Sequence, residues 1–423
     1  MSEPFDLIVV GGGVIGCAIA EWARRVVGDQ ADLGVPARKR RRFPSVALVD
    51  AGARPGSGAT GAAAGGIAPH SDDASGNDSL AAMAVRGREL YTHWLPALEA
   101  EARVTVPFHT GGLLRVALGP DEMEQLDRDA VSRWREHGME HISFTLEEMR
   151  ERVPGLSGDV VGGYHLPRDA CLDPRLLLAA LEAVLVADEH VDLRTNVSVT
   201  GLDSQAGGVV VELGTGDELV GKRVVVAAGL ASGKLLPELA DDSMVPVKGQ
   251  IVEFEVPGAD GYPFDAQLYT KIKQVEPSGE IPAQPDGVEA AQYHSAFLVP
   301  RVDGHVVAGV TYEYGLDDDE LTEPAYEAIV DGVRALLPEA KDWRVSDRWS
   351  GVRTATRDGL PIIGPLPDDE RIIAATGHFG LGLTLAPATA ELVCALLTAD
   401  SPELPADAVA FSPARFAAAA AAT

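Results

Sequence analysis

A glycine-rich turn near the N-terminus contains the first residues whose types and spacing suggest a chemistry. It follows a short apolar run typical of a buried strand and opens a stretch with helical spacing. In that context a G-x-G-x-x-G turn lets backbone amides and the positive end of a helix dipole contact a pyrophosphate. The alternative is a glycine turn of an unrelated α/β protein. The residues predicted to bind a dinucleotide here are Gly11, Gly13, Val14, Ile15 and Gly16.

An acidic residue, Asp50, ends the next strand-like run at Val46–Val49. In dinucleotide-binding βαβ units an acid at this place bonds a ribose hydroxyl, usually about 20 residues after the glycines. Here the distance is longer, and the polar insertion Gly28–Pro44 accounts for the excess. The basic run Arg38–Arg42 inside it could be a nucleic-acid or targeting patch. A solvated loop is the favoured interpretation because the whole chain is acidic.

Two further segments are rich in small residues. Ser57–Ile67 follows Asp50 and is too apolar for an ordinary flexible linker. Val224–Gly229 resembles a buried strand ending in a small-residue turn, although any core strand could have this composition. In both segments small side chains would let the backbone lie against a flat ring or a phosphate, which fits the dinucleotide site.

Two longer motifs lie near the C-terminus, at Trp349–Pro365 and Ala375–Pro387. Taken in chain order, the five motifs resemble those of the glycine oxidase and D-amino-acid oxidase (DAO) family of FAD-dependent oxidoreductases. The resemblance is closest to glycine oxidases and covers roughly residues 6–397. The last two motifs are the specific ones, since the first is shared by many flavin and nicotinamide proteins.

The resemblance implies an α/β fold with an α+β second domain. A discontinuous Rossmann-like FAD-binding domain would consist of residues 1–90, 155–245 and 345–415. An antiparallel-sheet substrate domain would consist of residues 91–154 and 246–344.

The resemblance also implies which residues contact FAD. The helix predicted at Pro387–Leu397 would direct its N-terminus at the flavin and stabilise negative charge there. For His378 a packing role is the alternative to a catalytic one. The expected FAD contacts comprise the glycine motif, the small-residue segments and the fifth motif: Gly11, Gly13, Val14, Ile15, Gly16, Asp50, Thr60, Ala63, Ala64, Gly65, Val197, Ala228, Gly229, Arg353, His378, Phe379, Gly380, Leu381, Gly382, Leu383 and Thr384.

Three residues are predicted to bind the substrate: Arg353, Phe297 and Gly380. Arg353 matches the family's arginine that holds a carboxylate, which a planar guanidinium binds with two parallel hydrogen bonds. A surface ion pair is the alternative for this arginine. Glycine oxidases tend to carry a tyrosine where this chain has Phe297 and an arginine where it has Gly380. These departures predict a roomier, more apolar pocket and a substrate larger than glycine.

The implied reaction is the oxidation of a primary or secondary amine of a small amino acid. A hydride would pass from Cα to flavin N5, giving an imine and then an oxo acid, with O2 reduced to H2O2. One alternative is a D-amino-acid dehydrogenase that passes electrons to a quinone or a partner protein, because the run Leu381–Thr384 resembles such enzymes. Another is a biosynthetic flavoprotein acting on a specialised amine. The amine, the electron acceptor and the formation of a homo-oligomer stay open.

Composition indicates which binding partners, which cellular compartment and which mode of flavin attachment to expect. The net charge of −29 argues against binding to nucleic acid or to anionic membranes. The cysteines Cys17, Cys171 and Cys394 form neither a disulfide framework nor a metal-binding pattern, which fits a reduced, cytoplasmic compartment. None lies near the fourth motif, where covalent flavin attachment occurs in sarcosine oxidases, so FAD is expected to be non-covalent.

The uncharged stretch Ile372–Ala390 is predicted to be a buried strand, loop and helix start instead of a membrane span.

Overall fold

The structure is a computed structural model that describes residues 3–25, 45–70, 77–236, 239, 243–275, 292–399, 405 and 407–416. The predicted insertion at 28–44, with its basic run, lies outside the described residues. The sequence also predicts a loop at Lys273–Ala291, and most of it lies outside the described residues as well. Its first residues, Lys273–Val275, belong to a strand instead.

The described residues form the following strands and α-helices. The strands are β1 (Leu7–Val10), β2 (Val46–Val49), β3 (Gly66–Ile67), β4 (Leu113–Ala117), β5 (Ile142–Ser143), β6 (Gly162–Leu166), β7 (Ala170–Cys171), β8 (Val191–Arg194), β9 (Val199–Gln205), β10 (Gly208–Leu213), β11 (Glu218–Gly221), β12 (Val224–Val226), β13 (Met244–Glu255), β14 (Gln267–Val275), β15 (Gln292–Pro300), β16 (His305–Tyr314), β17 (Arg344–Thr356), β18 (Ile362–Pro365) and β19 (Ile372–Thr376). The α-helices are α1 (Val14–Arg25), α2 (Asp78–Ala102), α3 (Pro120–Gln125), α4 (Ser132–Glu136), α5 (Leu146–Arg152), α6 (Pro174–Ala187), α7 (Ser232–Leu235), α8 (Glu323–Leu336) and α9 (Gly382–Thr398).

The first sheet has six strands in the order β18-β19-β12-β1-β2-β8. Its strands are parallel except for the antiparallel pair β18–β19. In β1, Leu7 and Val9 pack into the core that contains α1 and α9, whereas Ile8 and Val10 pack on the other side with the three-stranded sheet β11-β10-β9. Burial on both faces explains why β1, β2 and β12 are continuous apolar runs in the sequence.

The second sheet has eight strands in the order β17-β13-β16-β15-β14-β4-β6-β5. Its strands are antiparallel except for the parallel pair β14–β4. One face packs against α8 through residues such as Phe254 and Leu336. The two sheets confirm the predicted fold class of a Rossmann-like unit with a largely antiparallel second unit. The domain bounds along the chain stay a prediction. In the large sheet β6 pairs with β4 and β17 pairs with β13, although β6 and β17 both lie mainly in the stretches expected for the FAD domain.

The sequence also predicts a hairpin in which Val209–Leu213 pairs with Arg223–Ala228 after a turn at Gly214–Asp217, and this prediction is wrong in its second strand. β10 pairs with β11 instead, and β12 lies between β1 and β19 in the six-stranded sheet. The apolar run of β12 therefore indicates burial on both faces of a central parallel strand.

The predicted start of the C-terminal helix is also wrong. α9 begins at Gly382, so Pro387 lies inside the helix. Proline has no N–H to donate to the carbonyl four residues earlier, which belongs to Leu383. The buried hydroxyl of Tyr91, on α2, donates a 2.8 Å hydrogen bond to that carbonyl. A side chain from another helix thus replaces the bond that Pro387 removes.

By length and composition, the segment Phe379–Thr398 is one that could cross a membrane. However, 72% of its most apolar window is buried inside the protein, and α9 packs against α1 and α2. Its apolar character therefore matches a core helix, which agrees with the prediction made from the uncharged stretch.

We predict that Tyr91→Phe lowers the free energy of unfolding by about 1–3 kcal/mol, because it leaves a buried carbonyl without its donor. In a Pro387→Ala background the alanine N–H can bond the Leu383 carbonyl, so the same substitution should cost less. Urea unfolding of the four proteins measures both values. An equal cost of Tyr91→Phe in the two backgrounds would contradict this role for Tyr91.

Candidate active site

The predicted dinucleotide contacts follow the parallel strands of the first sheet. Because β8, β2, β1, β12 and β19 run in the same direction, their carboxyl ends share one edge, where open α/β sheets bind ligands. The residues that follow these ends are Val197, Asp50, Gly11, Ala228 and His378. The fold therefore brings together five residues that are far apart in the sequence.

The three motif glycines have different surroundings. Gly11 has a φ of +108°, and a Cβ there would collide with the Ala227 carbonyl oxygen. A Cβ on Gly16 would collide with the Gly11 carbonyl oxygen. A Cβ on Gly13 would meet only the Thr60 hydroxyl oxygen, at 3.5 Å. The fold itself thus requires Gly11 and Gly16, whereas the protein leaves space beside Gly13.

Side chains fix the glycine-rich turn from outside. The Asp50 carboxylate accepts hydrogen bonds from the Gly12 amide (2.6 Å) and the Gly52 amide (2.8 Å). The Thr60 hydroxyl oxygen accepts a bond from the Val14 amide at 3.1 Å. The predicted ribose acid is therefore also a structural group, although a carboxylate has lone pairs for further donors.

A cavity of about 1100 Å³ lies between this turn, the N-terminus of α9 and one face of the eight-stranded sheet. The predicted residues that line it are Val14, Thr60, Ala63, Ala64, Gly65, Phe297, Arg353, Phe379, Gly380, Leu381, Gly382, Leu383 and Thr384. The predicted residues outside its lining are Gly11, Gly13, Ile15, Gly16, Asp50, Val197, Ala228, Gly229 and His378. Ligand pockets usually measure about 300–1,000 Å³, so this one is large for a small amino acid alone.

The loop before α9 forms one wall of the cavity. It turns at Gly377 (φ +74°) and at Phe379, whose φ of +47° is uncommon for a bulky residue. The Thr384 hydroxyl oxygen, in the first turn of α9, accepts a 3.1 Å hydrogen bond from the Ala68 amide. This bond joins the helix N-terminus to the segment that follows the small-residue motif.

His378 is buried behind this wall. Its Nε2 lies 3.1 Å from the Thr389 hydroxyl oxygen, and burial lowers the pKa of the imidazole to about 3. The ring is therefore neutral at physiological pH and packs against α9. These contacts favour the packing role for its side chain, while a backbone contact to FAD stays a prediction.

Arg353 extends from β17 across the neighbouring strand toward the cavity. A Cβ on Gly249, in β13, would collide with the guanidinium, so this glycine provides its path. The guanidinium donates a 3.2 Å hydrogen bond to the Thr311 carbonyl and lies 4.8 Å from the centre of the Tyr312 ring. The side chain is half-buried and lines the cavity. These contacts differ from those of a surface ion pair, the alternative for this arginine.

Side chains from the large sheet and its edge hold the small-residue segment in place by hydrogen bonds. Arg301 donates hydrogen bonds to the carbonyls of Ala64 (2.7 Å) and Leu172 (2.8 Å). The Trp349 indole N–H donates a 3.0 Å bond to the Ala62 carbonyl. These bonds keep the backbone of the segment at the cavity wall.

Several residues that line the cavity are not predicted by the sequence motifs. They include His70, Arg115, Trp134, Asp169 and Tyr269. Arg115 lies on β4 with its guanidinium 4.0 Å from the centre of the Tyr269 ring. Only the position of His70 shortly after the small-residue motif could have drawn attention to it, because its partners come from distant parts of the chain.

No group of three or more histidines, cysteines or acidic residues in the described ranges could hold a metal ion. The three cysteines are buried and free, and burial raises the pKa of each thiol, that of Cys171 to about 12. They are therefore poor nucleophiles, since the thiolate is the reactive form.

The family described as "DAO: FAD dependent oxidoreductase" matches residues 6–396. The chain belongs to this family. The glycine oxidase of Bacillus subtilis (strain 168) is 27% identical over 403 residues, which cover 94% of each chain. The crystal structure of glycine oxidase from Geobacillus kaustophilus superposes with a TM-score of 0.80 at 25% identity and covers 97% of this chain and 98% of that one.

Another relative is the "Bifunctional protein ThiO/ThiG" of Trichormus variabilis, which is 28% identical over 395 residues. The match covers 92% of this chain but only 52% of that protein, so the present chain spans about half of its length. Together these findings confirm the predicted family, the FAD cofactor and the class of enzyme: the chain is an FAD-dependent oxidoreductase.

We predict that Gly13→Ala weakens FAD binding at least about tenfold without lowering the thermal stability of the apoprotein. The added methyl has room in the protein, but it would stand between the backbone and a pyrophosphate. Flavin titration and apoprotein melting measure the two effects. The control is Gly16→Ala, whose methyl collides with the backbone and should impair folding with or without FAD. Unchanged FAD affinity in Gly13→Ala would place the phosphates elsewhere.

Proposed function

We propose that this enzyme oxidises the amine of an amino acid larger than glycine, with O2 as the electron acceptor. The observation that carries the proposal is Arg353, which reaches over Gly249 to face a cavity beside the glycine-rich turn. When bound, FAD supplies the hydride acceptor for the substrate Cα–H bond, and the resulting imine is hydrolysed to an oxo acid. The residues of the chain bind and orient the substrate.

The dinucleotide would lie along the carboxyl edge of the six-stranded sheet. Its pyrophosphate would face the N-terminus of α1 at Gly13, its ribose would meet Asp50, and its adenine would contact Val197. Two observations support this placement: the space beside Gly13, and the convergence of these residues on one sheet edge. Of the remaining predicted contacts, Thr60, Ala63–Gly65 and Phe379–Thr384 line the cavity, whereas Ala228, Gly229 and His378 follow β12 and β19 at the sheet edge.

Arg353 would bind the substrate carboxylate. Its guanidinium contacts one carbonyl and one aromatic ring, so N–H groups of the guanidinium stay available to bind a ligand at the half-buried cavity wall. An arginine–carboxylate pair shielded from water also fixes the direction of the substrate, because both groups are planar and bond in parallel.

The predicted substrate size is supported by Phe297 and Gly380, which both line the cavity. The Phe297 ring lies against Gly66: a Cβ on this glycine would come within 2.8 Å of the ring atom Cζ. Gly380 is exposed at the mouth and adds no side chain there. Each buried CH₂ of a larger substrate would gain about 0.8 kcal/mol in such a pocket.

We also propose that FAD is bound non-covalently and that the protein works in a reducing, intracellular compartment. The three buried, free cysteines support both statements, and none of them lines the cavity. The similarity to a ThiO/ThiG protein supports a biosynthetic role as the second candidate function. In that case the oxidised amine would serve a later synthetic step.

We predict that Arg353→Leu lowers kcat/KM for amino acids at least about 30-fold when the rate is normalised to bound FAD, because Arg353 is also an expected FAD contact. Loss of a buried charge partner costs about 2–5 kcal/mol, and each 1.4 kcal/mol is about tenfold. The control is Arg348→Leu on the same strand, since Arg348 bonds Glu323 at 2.8 Å and is not part of the cavity lining. Equal losses in the two variants would refute the role of Arg353 as a carboxylate clamp.

We predict that an amino acid larger than glycine reduces the flavin fastest. Anaerobic bleaching is measured with glycine, sarcosine, D-alanine, D-proline and a bulky D-amino acid, and air is then admitted. Rapid return of the yellow colour with formation of H2O2 is expected for an oxidase. Slow return that an added quinone accelerates would favour the dehydrogenase alternative. If glycine has the highest kcat/KM, the prediction of a larger substrate is wrong.

A further inference from the structure

A histidine and an aspartate form a buried pair at the edge of the cavity. His70 is 3% exposed and Asp169 is 1% exposed, and His70 Nδ1 lies 2.6 Å from the Asp169 carboxylate. Both residues line the cavity. The second ring nitrogen of His70, Nε2, is buried and has no hydrogen-bond partner among the described residues.

Backbone pairing fixes this geometry. β3 pairs with β7 in antiparallel register, and Ile67 faces Ala170. His70 shortly follows β3 and Asp169 directly precedes β7, so the two side chains meet at the same end of the pair. The Trp134 indole N–H donates a 3.0 Å hydrogen bond to the His70 carbonyl, and the two rings meet edge to face at 6.4 Å. The imidazole is therefore held in place before any ligand binds.

The contact with Asp169 also determines which kind of hydrogen bond Nε2 of His70 can form. The Asp169 carboxylate accepts a hydrogen bond, so Nδ1 carries a proton and the ring is oriented by that bond. In the neutral ring Nε2 then accepts a hydrogen bond, and in the charged ring it donates one. A buried polar atom without a partner is unfavourable, and native proteins pair such atoms with protein, water or ligand groups.

Three large hydrophobic side chains also line the cavity. Leu113, Leu166 and Trp134 belong to one hydrophobic cluster, and all three are buried. Leu113 pairs with Leu166 across β4 and β6, so the two side chains share one face of the sheet. The cavity thus offers a hydrophobic surface and a buried polar atom without a partner, which matches an aliphatic chain that ends in a hydroxyl or amino group.

This hydrophobic surface lies far from Arg353. The Arg353 guanidinium reaches β16, and Leu113 lies on β4, three strands further along the sheet order. At a spacing of about 4.8 Å between strands, that is roughly 14 Å between the two backbones. Glycine is too short to span this distance, whereas an amino acid with several side-chain atoms can approach both walls.

We propose that His70, positioned by Asp169, binds the polar end of the substrate side chain. The preferred substrates then have an aliphatic stem that packs on Leu113, Leu166 and Trp134, and a hydrogen-bonding tip that reaches Nε2. This inference rests on the proposed function, because it takes Arg353 as the carboxylate site.

The test compares isosteric pairs of amino acids on the FAD-loaded enzyme. Each pair differs only in a terminal hydroxyl or methyl: serine and 2-aminobutyrate, homoserine and norvaline, and 5-hydroxynorvaline and norleucine, each as both enantiomers. We expect the hydroxyl compound to have a kcat/KM at least about tenfold higher at one chain length, because a polar site rejects the analogue that leaves it unpaired.

Two variants of His70 separate binding from structure. In His70→Asn the amide nitrogen can take the place of Nδ1 and keep the Asp169 bond, but nothing replaces Nε2. In His70→Gln the longer amide can replace Nε2 in the cavity. We expect the hydroxyl-to-methyl ratio to fall to about 1–2 in His70→Asn and to be largely retained in His70→Gln, since only the latter keeps a partner for the tip.

The matched control is His165→Asn. His165 is also buried, its Nε2 bonds the Gly111 carbonyl at 2.9 Å, and it does not line the cavity. The ratio should be unchanged in this variant. If both His70 variants change kcat/KM equally for the hydroxyl and methyl compounds, His70 has only a structural role and the proposal is overturned.

If a variant does not fold, the hydroxyl-to-methyl ratio of kcat/KM in the wild-type enzyme alone still tests the proposal. A ratio near 1 at every chain length means that Nε2 bonds a buried water and not the substrate. This outcome differs from failure of the proposed function, in which neither glycine nor any member of the pairs reduces the flavin. Reduction by amino acids without preference for a polar tip refutes only the side-chain site.

Discussion

The first turn of α9 is fixed by groups outside the helix, and the walls of the cavity depend on it. Pro387 removes one internal hydrogen bond, and Tyr91 on α2 supplies the missing donor. Gly87, also on α2, allows contact with the Thr384 carbonyl, where any Cβ would collide. The Thr384 hydroxyl accepts the bond from Ala68. One helix end thus positions both the loop before α9 and the segment that leads to His70.

The charge of the protein makes local cations important for substrate binding. A chain with a net charge of −29 repels a carboxylate at long range. At physiological ionic strength this repulsion is screened beyond about 8 Å, so the groups at the cavity determine whether an anion enters. Arg353, Arg115 and Lys271 line the cavity together with Asp121, Glu122 and Asp169. A zwitterionic amino acid suits such a mixed lining better than a simple anion, because it brings charges of both signs.

The sequence predicted the parts of the fold that local patterns encode. The glycine turn and the buried strands β1 and β2 follow from spacing and composition close to the residues concerned. The partner of β12 could not be predicted in this way, because its parallel neighbours β1 and β19 lie far away along the chain. The same limit applies to the cavity. The motif around Arg353 predicts a role for this residue, whereas His70 and Asp169 become a pair only through the pairing of β3 with β7. Pro387 misled the prediction of the helix start because the compensating group, Tyr91, comes from another helix.

A single stretch of backbone connects the two ends of the proposed substrate site. At one end Thr60 bonds the Val14 amide in the first turn of α1, beside the dinucleotide turn. In the middle Arg301 holds the Ala64 carbonyl, and the pairing of Gly66 with Cys171 fixes the direction of the chain. At the other end His70 meets Asp169. Because these attachments come from α1, from the large sheet and from β7, the stretch cannot move at one end without straining the others. The distance from the cofactor edge to His70 is therefore a fixed property of the backbone, and a rigid site of this kind selects substrates by length as well as by polarity.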